Sequence, residues 1–132
     1  MSLELRVKGD IEPEMVKEIL AFAPWAQDRS VEQIKAMLEG SDFILLLLLQ
    51  DRPVGFARVI TDYVFRAFIE DVVVHPDYRR AGMGRILVEA LECHVEARGV
   101  ERIELSTGKP EFWKHMGFTA KAGHMVKGIK NG

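Results

Sequence analysis

The amino-acid sequence predicts a single mixed α/β domain, and three observations carry that prediction. The run Phe43 to Leu49 is apolar throughout and of strand length, which fits a strand buried on both faces at the centre of a sheet. Segments of period two alternate with segments of helical spacing, a mixture that excludes helical bundles and β-sandwiches. At 132 residues and 48% hydrophobic content, the chain can bury one core and is too apolar to stay disordered. No repeat, low-complexity tract or Pro/Gly/Ser linker divides it, so one domain is expected over residues 1–132.

The elements follow in the order β-α-α-β-β-β-α-β-α-β. Leu3, Leu5 and Val7 alternate with polar residues, as in a half-buried strand. Asp10 and Pro13 open a short helix carrying Met15, Val16, Ile19, Leu20 and Phe22 at helical spacing, and Pro24 ends it. Ser30 followed by Gln33 reads as a capping box, and Gly40 as the stop of a second helix. After the apolar strand, Asp51-Arg52-Pro53 makes a turn and residues 54–61 return antiparallel. Residues 68–75, rich in β-branched side chains, form the next strand. Beyond Pro76 the period changes: Ile86, Leu87, Ala90, Leu91 and Val95 mark one face of a helix, with Arg85, Glu89, Glu92 and Glu96 opposite. Gly99 ends that helix. Residues 101–106 alternate again, and the strand–helix–strand connection makes them parallel to the preceding strand. A short helix at 110–115 and a final strand or hairpin over 118–129 complete the reading, with 124–129 as an edge for pairing in a homodimer; monomer and homodimer both stay open.

Composition removes several function classes. Lys and Arg number 18 against 20 Asp and Glu, a net charge of -2, which argues against a nucleic-acid partner or an anionic membrane surface. The longest apolar run is far short of a membrane span. The first ten residues carry charges in place of the apolar segment of a signal peptide, so a cytoplasmic location is the expectation. Cys93 stands alone and is expected as a small buried residue on a helix. His75, His94, His115 and His124 show no metal-ligand spacing, and no metal is expected.

The chemistry lies in residues 72–85, Val-Val-Val-His-Pro-Asp-Tyr-Arg-Arg-Ala-Gly-Met-Gly-Arg. A strand runs into a loop with two glycines, and the loop opens directly into the longest helix. First-turn amides of a helix have no intrahelical partners and sit at the positive end of its dipole, a setting for phosphate oxygens. Arg79, Arg80 and Arg85 stand there against Asp77 alone, and no acidic residue occupies the first turn. Gly82-x-Gly84 is neither a Walker A loop nor a full dinucleotide fingerprint.

The wider pattern, Val72-x-Val74-x-Pro76-x-x-Arg79-x-x-Gly82-x-Gly84, resembles motif A of the GNAT family of N-acetyltransferases, where it binds the pyrophosphate of acetyl-CoA. Arg52-Pro53-Val54-Gly55-Phe56-Ala57-Arg58 is similar to the family's preceding hairpin, and Phe112-Trp113-Lys114-His115-Met116-Gly117-Phe118 to its motif B. The resemblance implies the GNAT fold, a mostly antiparallel twisted sheet flanked by helices, with parallel strands splayed at the CoA cleft. It implies acetyl-CoA as co-substrate and an amine of a small molecule or peptide as acceptor. Val72, Val73 and Val74 would hold the pantetheine arm, with an N–H of Val73 or Val74 facing the thioester oxygen. The backbone of Arg79, Arg80, Ala81, Gly82, Met83 and Gly84, with Arg85, would hold the pyrophosphate, while the Arg79 and Arg80 side chains reach the 3′-phosphate or stay solvated. Glu70 and Asp71 are the candidate bases, and simple alternation sets them on opposite faces of the strand. Trp113 stands where the family usually has a Tyr that protonates the leaving thiolate, and an indole N–H is no practical proton source. Ser106 stands where an Asn usually contacts pantetheine. Trp25, Asp28, Tyr63 and Phe65 are candidate acceptor contacts. A CoA-binding sensor or interaction module without turnover is the alternative reading.

Overall fold

The computed structural model describes residues 2–130; Met1, Asn131 and Gly132, the ends of the expected domain, lie outside the described residues. In chain order the elements are β1 (Leu3–Val7), α1 (Pro13–Leu20), α2 (Val31–Gly40), β2 (Phe43–Leu49), β3 (Arg52–Thr61), β4 (Arg66–Val74), α3 (Met83–Glu96), β5 (Arg102–Glu104) and α4 (Pro110–His115), with a 3-10 turn at Pro76–Tyr78. The strands form one sheet in sequence order, antiparallel except for the last pair, β4 and β5.

β2 explains why the sheet has helices on both faces. Ile44, Leu46 and Leu48 join Val16, Ile19, Leu20 and Ile34 beneath α1 and α2, while Leu45, Leu47 and Leu49 join Leu87, Val88 and Leu91 beneath α3. Each such side chain contributes about 1.5–3 kcal/mol on burial, so this one strand anchors both layers. Gly55 on β3 lets α3 approach: a Cβ there would lie 2.9 Å from Leu87 Cδ1. Ser30 caps α2 as expected, its Oγ accepting from the Gln33 amide while Gln33 Oε1 accepts from the Ser30 amide.

Several expectations are corrected. β1 is exposed, not half-buried, with Leu3, Leu5 and Val7 each more than 40% accessible, because it is the sheet edge and α3 lies over β3 and β4 instead. Gly40 is the last residue of α2 itself; the extended Ser41 ends the helix, its hydroxyl donating to the Met37 carbonyl at 2.7 Å. The β2–β3 turn is Gln50-Asp51, both with positive φ (52° and 66°), so Arg52 and Pro53 already belong to β3. Phe22 lies beyond the end of α1. On α3 the buried line is Met83, Leu87, Val88, Leu91 and Val95; Ile86 is exposed, and so is Cys93, which sits two residues from both Leu91 and Val95 and therefore on the far face. The final strand does not form. Beyond Phe118 the described chain has no regular structure, and Met125, Val126 and Ile129 are exposed. β5 is only three residues long, so it presents too short an edge for a following strand to pair with.

β4 carries the feature that shapes the site. Arg58 faces Glu70 but Phe56 faces Val73, so Ala57 alone opposes Asp71 and Val72. This is a β-bulge, and Asp71 takes a left-handed φ of 54° within it. The extra residue reverses parity: Ala67 and Ile69 before it point to the core beneath α3, whereas Val73 after it points to the core beneath α1 and α2.

Candidate active site

β4 and β5 pair only over Arg66–Arg102, Ala67–Ile103 and Phe68–Glu104, after which β5 ends and β4 runs on. The sheet therefore splits, and the gap is a cleft of about 680 Å³ lined by Val72, Val73 and Val74 on β4, by Leu105, Ser106 and Lys109 beyond β5, and by Phe22, Trp25, Phe112 and Trp113. Along the β4 wall, the His75 amide donates to the Val54 carbonyl on β3 at 2.8 Å. Successive amides of a strand point to opposite edges, so Val74 and Val72 turn their N–H groups toward the cleft and Val73 turns its own toward β3. Of the expected β4 contacts the Val73 amide is therefore the one directed away, and its side chain is buried beneath α1 and α2.

At the mouth of the cleft α3 begins without a side-chain cap or an acidic first turn, behind Gly82 at a φ of 82°. The amides of residues 82–85 meet no backbone carbonyl among the described residues, whereas the Ala81 amide is used within the loop, donating to the Tyr78 carbonyl at 3.3 Å. A second cavity of about 430 Å³ lies here, lined by Arg79, Arg80, Gly82, Met83, Gly84, Arg85 and His115. Arg79 lines both cavities; Arg80 has a φ of 70°, and Arg85 is exposed and paired with Glu89 at 3.2 Å. A Cβ on Gly84 would sit 3.2 Å from the Phe112 ring, so the first turn of α3 is held close against α4.

The two candidate bases fall into different environments on the same side of the sheet. The bulge cancels the expected alternation, and Glu70 and Asp71 both line the cleft. Asp71 is buried and fully engaged: Arg29 Nη1 and Arg58 Nε each donate to Oδ2 at 2.7 Å, and the Trp25 indole donates to Oδ1 at 2.9 Å. Burial alone would raise its proton affinity, but the bonds from Arg29, Arg58 and Trp25 outweigh it and hold the carboxyl below the usual carboxylate range. Glu70 is half-buried and makes no side-chain bond among the described residues; burial and the neighbouring Asp71 charge push its proton affinity up, only partly offset by Arg58 and Arg29.

Trp113 is buried, edge-on to Phe112 and Phe118, and lines the cleft; Ser106 is exposed on the opposite wall. Of the expected acceptor contacts, Trp25 reaches the cleft. Tyr63 does not: its hydroxyl bonds His94 Nε2 at 2.9 Å and Arg98 lies over its ring, at the other end of β4. Neither Phe65 nor Asp28 lines the cleft. Sequence reading missed Arg29 as a site residue, because nothing in its spacing links it to a residue 42 positions away.

A mixed sheet split at its parallel pair, with a bare helix N-terminus at the mouth of the split, makes a cleft for an extended ligand that carries a phosphate group. The chain belongs to the GNAT acetyltransferase family, whose model, described as "Acetyltransferase (GNAT) family", matches residues 12–118. It is 32% identical over 97 residues to an uncharacterized N-acetyltransferase of Pyropia yezoensis (68% of this chain, 55% of the relative) and 33% identical over 97 residues to a chloroplastic GCN5-related N-acetyltransferase of Arabidopsis thaliana (70% and 49%). The chain thus spans about half the length of the curated relatives it matches. Among solved structures, a Trypanosoma brucei acetyltransferase superposes with a TM-score of 0.80 at 25% identity over 97% of this chain and 100% of that one. A GNAT family protein of Streptococcus pneumoniae shares the fold with a TM-score of 0.81 at 22% identity, covering 98% and 100%.

Proposed function

We propose that the chain is an acetyl-CoA-dependent N-acetyltransferase that passes the acetyl group directly to a primary amine of a small molecule or peptide, with both substrates bound together. The observation that carries the reading is the split between β4 and β5, flanked at its mouth by the unpartnered amides of residues 82–85. The residues present fit acetyl-CoA: Gly84, without a Cβ, lines both cavities, the cleft accepts an extended arm, and Arg79 lies where the two cavities meet. When bound, acetyl-CoA supplies an activated acetyl thioester.

The remaining roles belong to this chain's own groups. Amides of residues 82–85 and the Arg79 guanidinium hold the pyrophosphate. Val74 and Val72 offer N–H groups along β4, one to the pantetheine arm and one to the carbonyl oxygen as it gains charge; of the two residues expected from sequence for the oxyanion role, Val74 keeps it open and Val73 gives way to Val72. Glu70, its proton affinity raised, takes the proton from the attacking ammonium, directly or through water, so that a neutral amine forms the new C–N bond as the C–S bond breaks. The departing thiolate takes its proton from water, since Trp113 offers only an indole N–H.

Release of CoA in the presence of acetyl-CoA and a panel of primary amines tests the reading, with binding measured in parallel by calorimetry. Amine-dependent release supports it. Acetyl-CoA binding without release on any amine would instead establish the CoA-binding module, the alternative that Trp113 at the usual Tyr position favours.

A further inference from the structure

Asp71 spends its charge inside the protein. It joins three distant parts of the chain: the connection between α1 and α2 (Trp25 and Arg29), β3 (Arg58) and its own bulge on β4. Its side chain is about 1% accessible, while Trp25, which it holds by the indole N–H, is 60% exposed and lines the cleft. An indole so exposed contributes little to the core; it lines the cleft with Phe22 and Pro24 and is tied at its N–H to Asp71. Arg58 also reaches the Ser41 hydroxyl at 3.3 Å, which ties the end of α2 to the same carboxylate.

We propose that Asp71 is a positioning residue: through Arg29 and Trp25 it fastens the α1–α2 connection to the β4 bulge and so fixes the Trp25 ring as a wall for the body of the acceptor amine. Glu70 is left as the one carboxylate of the pair free to exchange a proton. The inference rests on the acetyl-transfer reading above and assigns the two adjacent acids different work. With a single available carboxylate beside an aromatic wall, the acceptor side suits a monoamine with an apolar body better than a polyamine.

Two measurements test this, the first without turnover. The chain has two tryptophans, so a ¹⁵N-labelled sample gives two indole cross-peaks, assigned by Trp25→Phe. In Asp71→Asn the Trp25 indole proton should move and exchange with solvent at least ~5-fold faster, with the Trp113 peak unchanged. An unmoved Trp25 peak in a folded Asp71→Asn protein overturns the proposal. Arg29→Met cuts the same tie from the other end and serves if Asp71→Asn does not fold. The second measurement is steady-state acetylation of phenethylamine. Asp71→Asn should raise KM for that amine about 10-fold, in keeping with one lost positioning contact, while KM for acetyl-CoA stays in place and the acidic limb of the pH profile persists, moved to lower pH because the Asp71 charge no longer raises the proton affinity of Glu70. Trp25→Ala should match it, and combining the two should add little. Collapse of kcat with loss of the acidic limb would make Asp71 the base and overturn the assignment. Failure to acetylate any amine would remove the enzymatic reading, and the indole measurement would still decide the clamp.

Discussion

Along the α3 side of the cleft, the polar groups that face the gap are chiefly backbone amides, from Val72, Val74 and residues 82–85, with the Arg79 side chain beside them; along the α1–α2 side the lining groups are side chains, from Phe22, Trp25, Glu70 and Asp71. The first side needs chiefly a conformation, which two glycines and a strand edge supply. The second needs a network, because its groups come from three separate segments, the α1–α2 connection, β3 and β4, and its two acids are adjacent in sequence. A site that binds a constant co-substrate through backbone can keep it while the other half changes. This difference makes the two halves separable by mutation.

The largest expected effect is on the backbone half. Gly84→Asp would drive a Cβ to within 3.2 Å of the Phe112 ring and set a carboxylate among the pyrophosphate donors. Overpacking and like-charge repulsion together should weaken acetyl-CoA on the order of 1,000-fold, measured by calorimetry, with Trp25-dependent amine recognition untouched. Retained acetyl-CoA affinity would break the division. On the side-chain half, Asp71→Asn should cost roughly 3 kcal/mol of stability in denaturant titration at neutral pH, as expected when a buried charge loses its partnership with two guanidiniums. The sign with pH follows from the lowered proton affinity of Asp71: its contribution is complete above the ordinary carboxylate range and is lost as pH falls through the depressed folded value. The gap between wild type and Asp71→Asn should therefore close on acidification, and a gap that widens would sink the assignment.

Next in size, Glu70→Gln should lower kcat about 100-fold and abolish the acidic limb of the rate profile, the scale of one general base. That limb should lie above the usual glutamate range, because burial and Asp71 raise the proton affinity of Glu70. Arg79→Ala should weaken acetyl-CoA about 10-fold, one charged hydrogen bond's worth, and flatten the salt dependence of binding. The smallest effect is Trp113→Tyr, which should raise turnover several-fold if thiolate protonation limits the rate and leave it unchanged if the aromatic packing with Phe112 and Phe118 keeps the hydroxyl from the cleft.

The same division explains what could be read in advance. Residues 72–85 are contiguous, and their spacing states a conformation directly, so the glycine loop and the start of α3 were legible from sequence. β2 was legible because an unbroken apolar run can only sit between two layers. The acceptor side was not. Asp71 and Arg29 are 42 residues apart, and the bulge that puts Asp71 beside Glu70 depends on the register between β3 and β4, which no local pattern records. Tyr63 looked like a site residue by its place in a loop and proved to be packing on His94 and Arg98. The final strand failed for a related reason: alternation in the sequence cannot show whether a neighbouring edge is long enough to receive it.

The left-handed φ of Asp71 has a consequence for how this position can vary. Few L-residues accept that region without strain, with glycine, asparagine and aspartate the main exceptions. Glycine would keep the bulge and drop the charge, asparagine would keep the bulge and mismatch the two guanidiniums, and glutamate would keep the charge and strain the backbone. In a saturation library selected for activity, position 71 should therefore tolerate almost no replacement. Position 70, in ordinary strand conformation, should accept any residue that can carry a proton.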